Sequence, residues 1–176
     1  MAGFIEPEEI VQRLDVRAGM KVADFGSGSG YFSIPLARLV GDDGKVYALD
    51  IQKDVLETVK SRAKTENLLN IETMWANLEL PRGSRLDDGT VDLVIISNIL
   101  FQAEDKGAVV KESARILKPG GSLVVFEWDE TASPPGPPLP LRIGKSTVRD
   151  LTQKAGFSFL KDLDAGSHHY GLVFKK

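Results

Sequence analysis

Residues 22–36, VADFGSGSGYFSIPL, constrain this chain more than any other stretch. An apolar run ends in an acid, a glycine-rich bend follows at once, and the next residues carry the spacing of a helix facing a sheet. A strand entering a helix through glycines is predicted to keep several backbone N–H groups for a polar ligand, where the helix dipole adds partial positive charge. Glycines fall at Gly26, Gly28 and Gly30, but Tyr31 follows, so the dinucleotide fingerprint G-x-G-x-x-G is not met. A turn with a purely structural role is the alternative reading of this stretch taken alone.

A chain of 176 residues suffices for one domain with one core, and its apolar fraction of 42% with 27% charged residues is that of a soluble globular protein. A net charge of -3 with both signs interspersed gives no reason to expect a nucleic-acid or membrane partner. The chain has no cysteine, which removes disulfides, thiolate nucleophiles and thiol metal sites together. Acids and a proline near the start do not resemble a secretory signal, and no apolar run approaches the roughly 18 residues of a spanning helix. The expected location is cytoplasmic.

Taken in order, residues 6–14 predict a short helix leading to the sheet, within an N-terminal cover helix of residues 1–15. Strands are predicted at 21–25, 45–49, 71–75, 91–96 and 122–128, with helices between them. In the helix over 53–65, Val55, Val59 and Ala63 are expected to face inward. A helix over 104–117 is stopped by Lys118-Pro119-Gly120-Gly121. The proline-rich loop over 129–143 is predicted to be stiff and extended, and a final helix over 147–155 leads to a hairpin turning at Ala165-Gly166-Ser167. Asp50, at the end of the second strand, points across the crevice of a doubly wound sheet towards a ribose; a helix cap or solvated acid is the alternative.

Asp24 followed by the three glycines resembles motif I of class I S-adenosylmethionine (SAM) dependent methyltransferases, and the LKPGG turn after a DLVIIS strand resembles the second half of that family. The resemblance runs over about residues 6–174 and is nearest to the small stand-alone enzymes grouped with ubiquinone and menaquinone biosynthesis. It implies an α/β, doubly wound, seven-stranded and mostly parallel sheet with a C-terminal antiparallel hairpin, a Rossmann-like methyltransferase fold, as a single domain over 1–176. It implies SAM as cofactor. It places Asp24, Gly26, Ser27, Gly28 and Gly30 at the methionine end and Asp50 with Ile51 at the nucleoside. Asn77 stands near the adenine edge where the family commonly has an acid. Ser97 faces the ammonium through its backbone, and Asn98 lies near the methyl group.

The acceptor is expected to be a small molecule. An Asp/Asn-Pro-Pro-aromatic loop for nucleobase amines is absent after the fourth strand, and cytosine C5 or arsenite methylation would need cysteine. Relatives acting on quinones often carry a histidine where this chain has Phe101-Gln102. His168 and His169, the only histidines, are read as half-exposed strand positions, with a base as the alternative; no metal site is expected from them. Phe4, Phe101, Trp128 and the proline segment are candidates for a substrate cover, against plain packing at the sheet ends. No pattern fixes a catalytic base or an oligomeric state. Two alternatives stand beside methyl transfer: a module that binds SAM without turnover, and an NAD-dependent oxidoreductase.

Overall fold

A computed structural model describes residues 5–131 and 135–176. Phe4 and residues 132–134 of the proline segment, both expected above in the substrate cover, lie outside the described residues. The sheet has seven strands: β1 (Lys21–Phe25), β2 (Lys45–Asp50), β3 (Ile71–Trp75), β4 (Val91–Ser97), β5 (Leu117–Trp128), β6 (Ser158–Asp164) and β7 (His169–Lys175), in the order β3-β2-β1-β4-β5-β7-β6. Neighbours pair in parallel up to β5, and β7 is antiparallel to both β5 and β6. The fold class expected from the sequence is the one observed.

Five helices, α1 (Pro7–Gln12), α2 (Ser33–Val40), α3 (Lys53–Thr65), α4 (Lys106–Ile116) and α5 (Lys145–Lys154), cover the faces. Residues on alternate sides of each strand feed two apolar layers, one with Val22, Val46, Ile95 and Phe126, the other with Phe25, Leu49, Ile96 and Val125. This two-sided burial is why the central strands read as near-continuous apolar runs. Helix α1 is short but buries Ile10 and Val11, each contributing about 1.5–3 kcal/mol, and Glu8 pairs with Arg38 of α2 at 2.6 Å. Pro7 opens it at a position where a missing donor costs little.

Three local expectations are corrected. In α3 the fully buried residue of the first turn is Leu56, and Val55 is only half-buried, because the apolar stripe is set by the face that meets β2 and β3. The LKPGG segment lies inside β5: Leu117 pairs with Val91, the register then shifts, and Ser122 pairs with Leu93. The bulged residues are tied to the chain end, with Gly120 N–H donating to the Lys176 carbonyl and Lys176 N–H to that of Gly121, so a Pro without a donor is accommodated there. Finally, the proline-rich loop is not simply extended. Arg142 donates from Nη1 to the Asp129 carbonyl at 2.6 Å and from Nε to that of Pro137 at 2.9 Å, and a 3-10 turn spans Leu139–Leu141. A buried guanidinium with fixed, forked donors folds the segment back over Trp128, whose ring it faces at 5.8 Å.

Candidate cofactor and acceptor site

Strand order reverses between β1 and β4, and the crevice at the carboxyl ends of these strands is where open α/β sheets take ligands. The bend after β1 uses its own amides. Gly26 and Ser27 N–H both donate to the Leu49 carbonyl at 2.8 and 2.9 Å, Gly30 N–H to that of Ser27 at 2.9 Å, and Gly28 N–H to Asp50 Oδ2 at 2.9 Å. These four are consumed in fixing the bend against β2, while among the described residues the N–H groups of Ser29, Tyr31 and Phe32 donate to no carbonyl, so the expected uncommitted amides lie just before α2. The bend also offers space. Gly26 (φ 70°) leaves no room for a Cβ because the Ile99 side chain occupies that place, whereas a Cβ on Gly28 (φ 50°) would meet nothing within 4 Å. Gly30 (φ 82°) packs towards Val59 of α3, at 3.2 Å from an added Cβ, and holds helix to bend.

Asp50 is 8% exposed and accepts from Gly28 N–H and, at 2.9 Å, from Gln52 N–H. It does not cap α3 through its side chain, since the cap residue is Gln52. Two bonds leave part of the carboxylate's accepting capacity for a ligand. Asp24 is buried, accepts from Ser33 Oγ at 2.6 Å, and burial, with the nearby Asp50 charge, pushes its pKa up to about 6.

Two cavities flank the bend. One, about 400 Å³, is lined by Asp50, Ile51, Ala76, Asn77 and Leu78 on one side and by Ile99 and Gln102 on the other. Ile51 is 54% exposed at its rim, where Trp75 Nε1 donates to the Ile51 carbonyl at 2.8 Å. The Asn77 amide oxygen accepts from Glu79 N–H at 3.1 Å. The second cavity, about 300 Å³, has Asp24 and Ser27 at its base and Ile5, Tyr31 and Phe32 as apolar walls. Gly26, Gly28, Ser97 and Asn98 line both, so the cavities meet there. A third, of about 260 Å³, lies among Asp92, Lys118 and Lys175 at the other end of the strands and holds none of the predicted site residues.

The structure thus brings nine of the ten predicted residues to the two cavities, Gly30 acting one layer behind. Asn98 Oδ1 at the junction, and Ser27 Oγ at the base of the second cavity, are buried and have no protein partner. Buried polar atoms are rarely left so, and their position in the cavity walls fits a polar ligand such as SAM. Asn98 holds a left-handed backbone (φ 56°), with its N–H donating to the Phe126 carbonyl at 2.9 Å and its own carbonyl accepting from Gln102 Nε2 at 2.8 Å.

Sequence reasoning missed Glu127, fully buried in β5, whose Oε1 accepts from Leu100 N–H at 2.7 Å; burial pushes its pKa up to about 7. An acid inside the apolar run SLVVFEW was the available signal. His169 is buried rather than half-exposed, because it packs on its cross-strand partner Trp128, the rings tilted by 37° with centroids 4.1 Å apart. Burial lowers its pKa to about 4, so the imidazole is neutral and weakly basic. Phe101 packs into the layer of Phe25 and Val125, while Phe32 stacks on Phe126 at 5.2 Å on the other face. Among the described residues no group of three or more His, Asp or Glu could hold a metal, and no helix is long and apolar enough to cross a membrane.

Solved structures similar to this one include a SAM-dependent methyltransferase from Aquifex aeolicus, at TM-score 0.88 and 24% identity over 98% of this chain and 90% of that one. At that identity the likeness establishes the fold. Among curated proteins, the chain is similar to a demethylmenaquinone methyltransferase of Bacillus mycoides, 36% identical over 70% of this chain and 51% of the relative. It is also similar to the ubiquinone/menaquinone biosynthesis C-methyltransferase of Haemophilus ducreyi, 38% identical over 65% of this chain and 44% of the relative. The chain spans about half the length of these relatives. A sequence profile matches residues 7–136 and overturns the oxidoreductase alternative; on that match the chain belongs to the ubiE/COQ5 methyltransferase family, whose cofactor is S-adenosylmethionine.

Proposed function

We propose that this chain transfers a methyl group from SAM to a small aromatic acceptor of the quinone type, the class named for its relatives. The observation that carries the reading is the junction at Gly26, Gly28, Ser97 and Asn98, where a polar nucleoside-sized cavity meets an aromatic one. In this reading Asp50 and Ile51 hold the nucleoside, Ala76, Asn77 and Leu78 its adenine edge, and Asp24, Ser27 and Ser97 the methionine end. Gly26 and Gly28 keep the floor thin, and Gly30 keeps the bend seated on α3. Bound there, SAM supplies a methyl on a positively charged sulfur. The chain's part is to orient: transfer needs the acceptor's electron pair, for a quinol anion the π pair at its ring carbon, in line with the methyl–sulfur bond, and holding that line accounts for most of the acceleration. Tyr31 and Phe32 offer flat apolar walls for an aromatic ring. His169 lines neither cavity and is a weak base, so the acceptor is expected to arrive as the more nucleophilic quinol anion, and once the C–C bond has formed the ring hydrogen it replaces leaves as a proton to water.

Tritiated-methyl transfer to a demethylated naphthoquinol, run beside a screen of metabolite extracts, tests this. Labelled product from the quinol is expected; label in another compound moves the acceptor class, and no label with no SAM binding by calorimetry rejects the whole reading. An acid limb is also expected. A ligand ammonium favours ionised Asp24, so affinity for SAM falls as pH drops through about 6 and Asp24→Asn flattens that limb.

A further inference from the structure

Glu127 is the acid within the buried run of β5, and no cation is committed to it. Its Oε1 accepts from Leu100 N–H at 2.7 Å, and the N–H groups of Phe101 and Trp128 face the same carboxyl. Its Oε2 is buried and meets no donor. From α4 the facing charge is Lys106, whose Nζ donates to the Ala103 carbonyl at 2.6 Å. From β7 it is Tyr170, the cross-strand partner, whose hydroxyl donates to the Ile143 carbonyl at 2.7 Å. What the carboxyl does hold is the loop over 98–102, and that loop puts Asn98, in its left-handed conformation and with an unmet Oδ1, at the junction of the two cavities.

We infer that Glu127 is a positioning residue for this site: by accepting the backbone N–H groups of the loop after β4, it sets the place of Asn98 between cofactor and acceptor. The inference rests on reading the junction as the point of methyl transfer. The loop amides favour the ionised form, but burial outweighs them and keeps the carboxyl neutral. Its carbonyl oxygen satisfies the loop amides, whereas an ionised carboxylate at full burial, with one oxygen facing no donor, draws in water and loosens the loop. Its raised pKa puts that change near neutrality.

The test follows S-adenosylhomocysteine affinity by calorimetry, and exchange of the Leu100 and Phe101 amides relative to that of Val124, from pH 5.5 to 8.5. In the unsubstituted protein, affinity is expected to fall and the two amides to exchange faster, each by about tenfold, as pH rises through about 7. Glu127→Gln keeps the carbonyl acceptor and should abolish this alkaline limb. Glu127→Leu leaves the amides without an acceptor and should show loosened amides and weak binding, by about tenfold, at every pH. If the Leu variant does not fold, the limb present in the parent and absent in the Gln variant decides alone. A limb that persists in Glu127→Gln, or binding and exchange unaltered in Glu127→Leu, overturns the inference and leaves the methyltransferase reading standing. Failure of the parent to bind S-adenosylhomocysteine at any pH overturns both.

Discussion

The two sides of the crevice finish their strands differently. On the side of β1 and β2, Asp24 is met by Ser33, Asp50 by Gly28 and Gln52, and the amides of the bend by Leu49 and Ser27. On the side of β4 and β5, Asn98 Oδ1, Glu127 Oε2 and both ring nitrogens of His169 are buried without partners. The first side is nearly complete as protein, with Ser27 Oγ left without a partner, a rigid half-mould whose remaining acceptor capacity points at one kind of ligand. The second is left partly unsatisfied, and of these groups Asn98 is the one that lines the cavities, where small differences in an incoming molecule are felt.

The sharpest way to break this contrast is to spoil the rigid side. Gly26→Ala adds a Cβ where the Ile99 side chain already sits and demands a positive φ of an L-residue, so it is expected to destabilise the fold by about 4 kcal/mol, read as a fall in urea midpoint. Next, Glu127→Gln should stabilise the protein at pH 8 relative to pH 5. A raised carboxyl pKa gives stability that is full below the unfolded value of 4.5 and lost as pH rises through about 7; at 1.36 kcal/mol per pKa unit this amounts to about 3 kcal/mol. An unchanged pH profile would mean that Oε2 is as well served as the acids across the crevice.

Asp50→Ala is expected to weaken SAM binding by one to two powers of ten, since charge-assisted hydrogen bonds contribute about 1.5–3 kcal/mol each, while the cooperative unfolding transition persists. Full affinity in that variant would remove the ribose role. The smallest effect belongs to His169→Phe. A neutral imidazole packed on Trp128, with neither ring nitrogen hydrogen-bonded, resembles a small aromatic ring, so stability between pH 6 and 8 should change by less than about 1 kcal/mol. A large loss of methyl transfer with stability intact would restore His169 as an acceptor contact.

Strand positions, the parallel order and the closing hairpin were legible because each rests on a local signal: apolar runs for β1, β2 and β4, breakers at 41–44, and turn residues at 165–167. Strand-end placement gave Asp24 and Asp50 their side of the crevice for the same reason. The bend's amide partners were not legible, since Leu49 and Asp50 reach Gly26, Ser27 and Gly28 only through the parallel register of β1 with β2. Nor was the burial of His169, which depends on facing Trp128 across an antiparallel pair, or the folding of the proline segment, which depends on a single arginine downstream. Composition describes how stiff a segment is; its path is decided by what grips it.

That grip has its own consequence. Because one guanidinium staples the carbonyls of Asp129 and Pro137 together, whatever chain runs between those two points begins and ends at a fixed address above Trp128. That address also dictates a letter: a Cβ on Gly136 (φ 134°) would meet the Trp128 ring at 2.7 Å, so the slot admits only glycine where the chain crosses the indole.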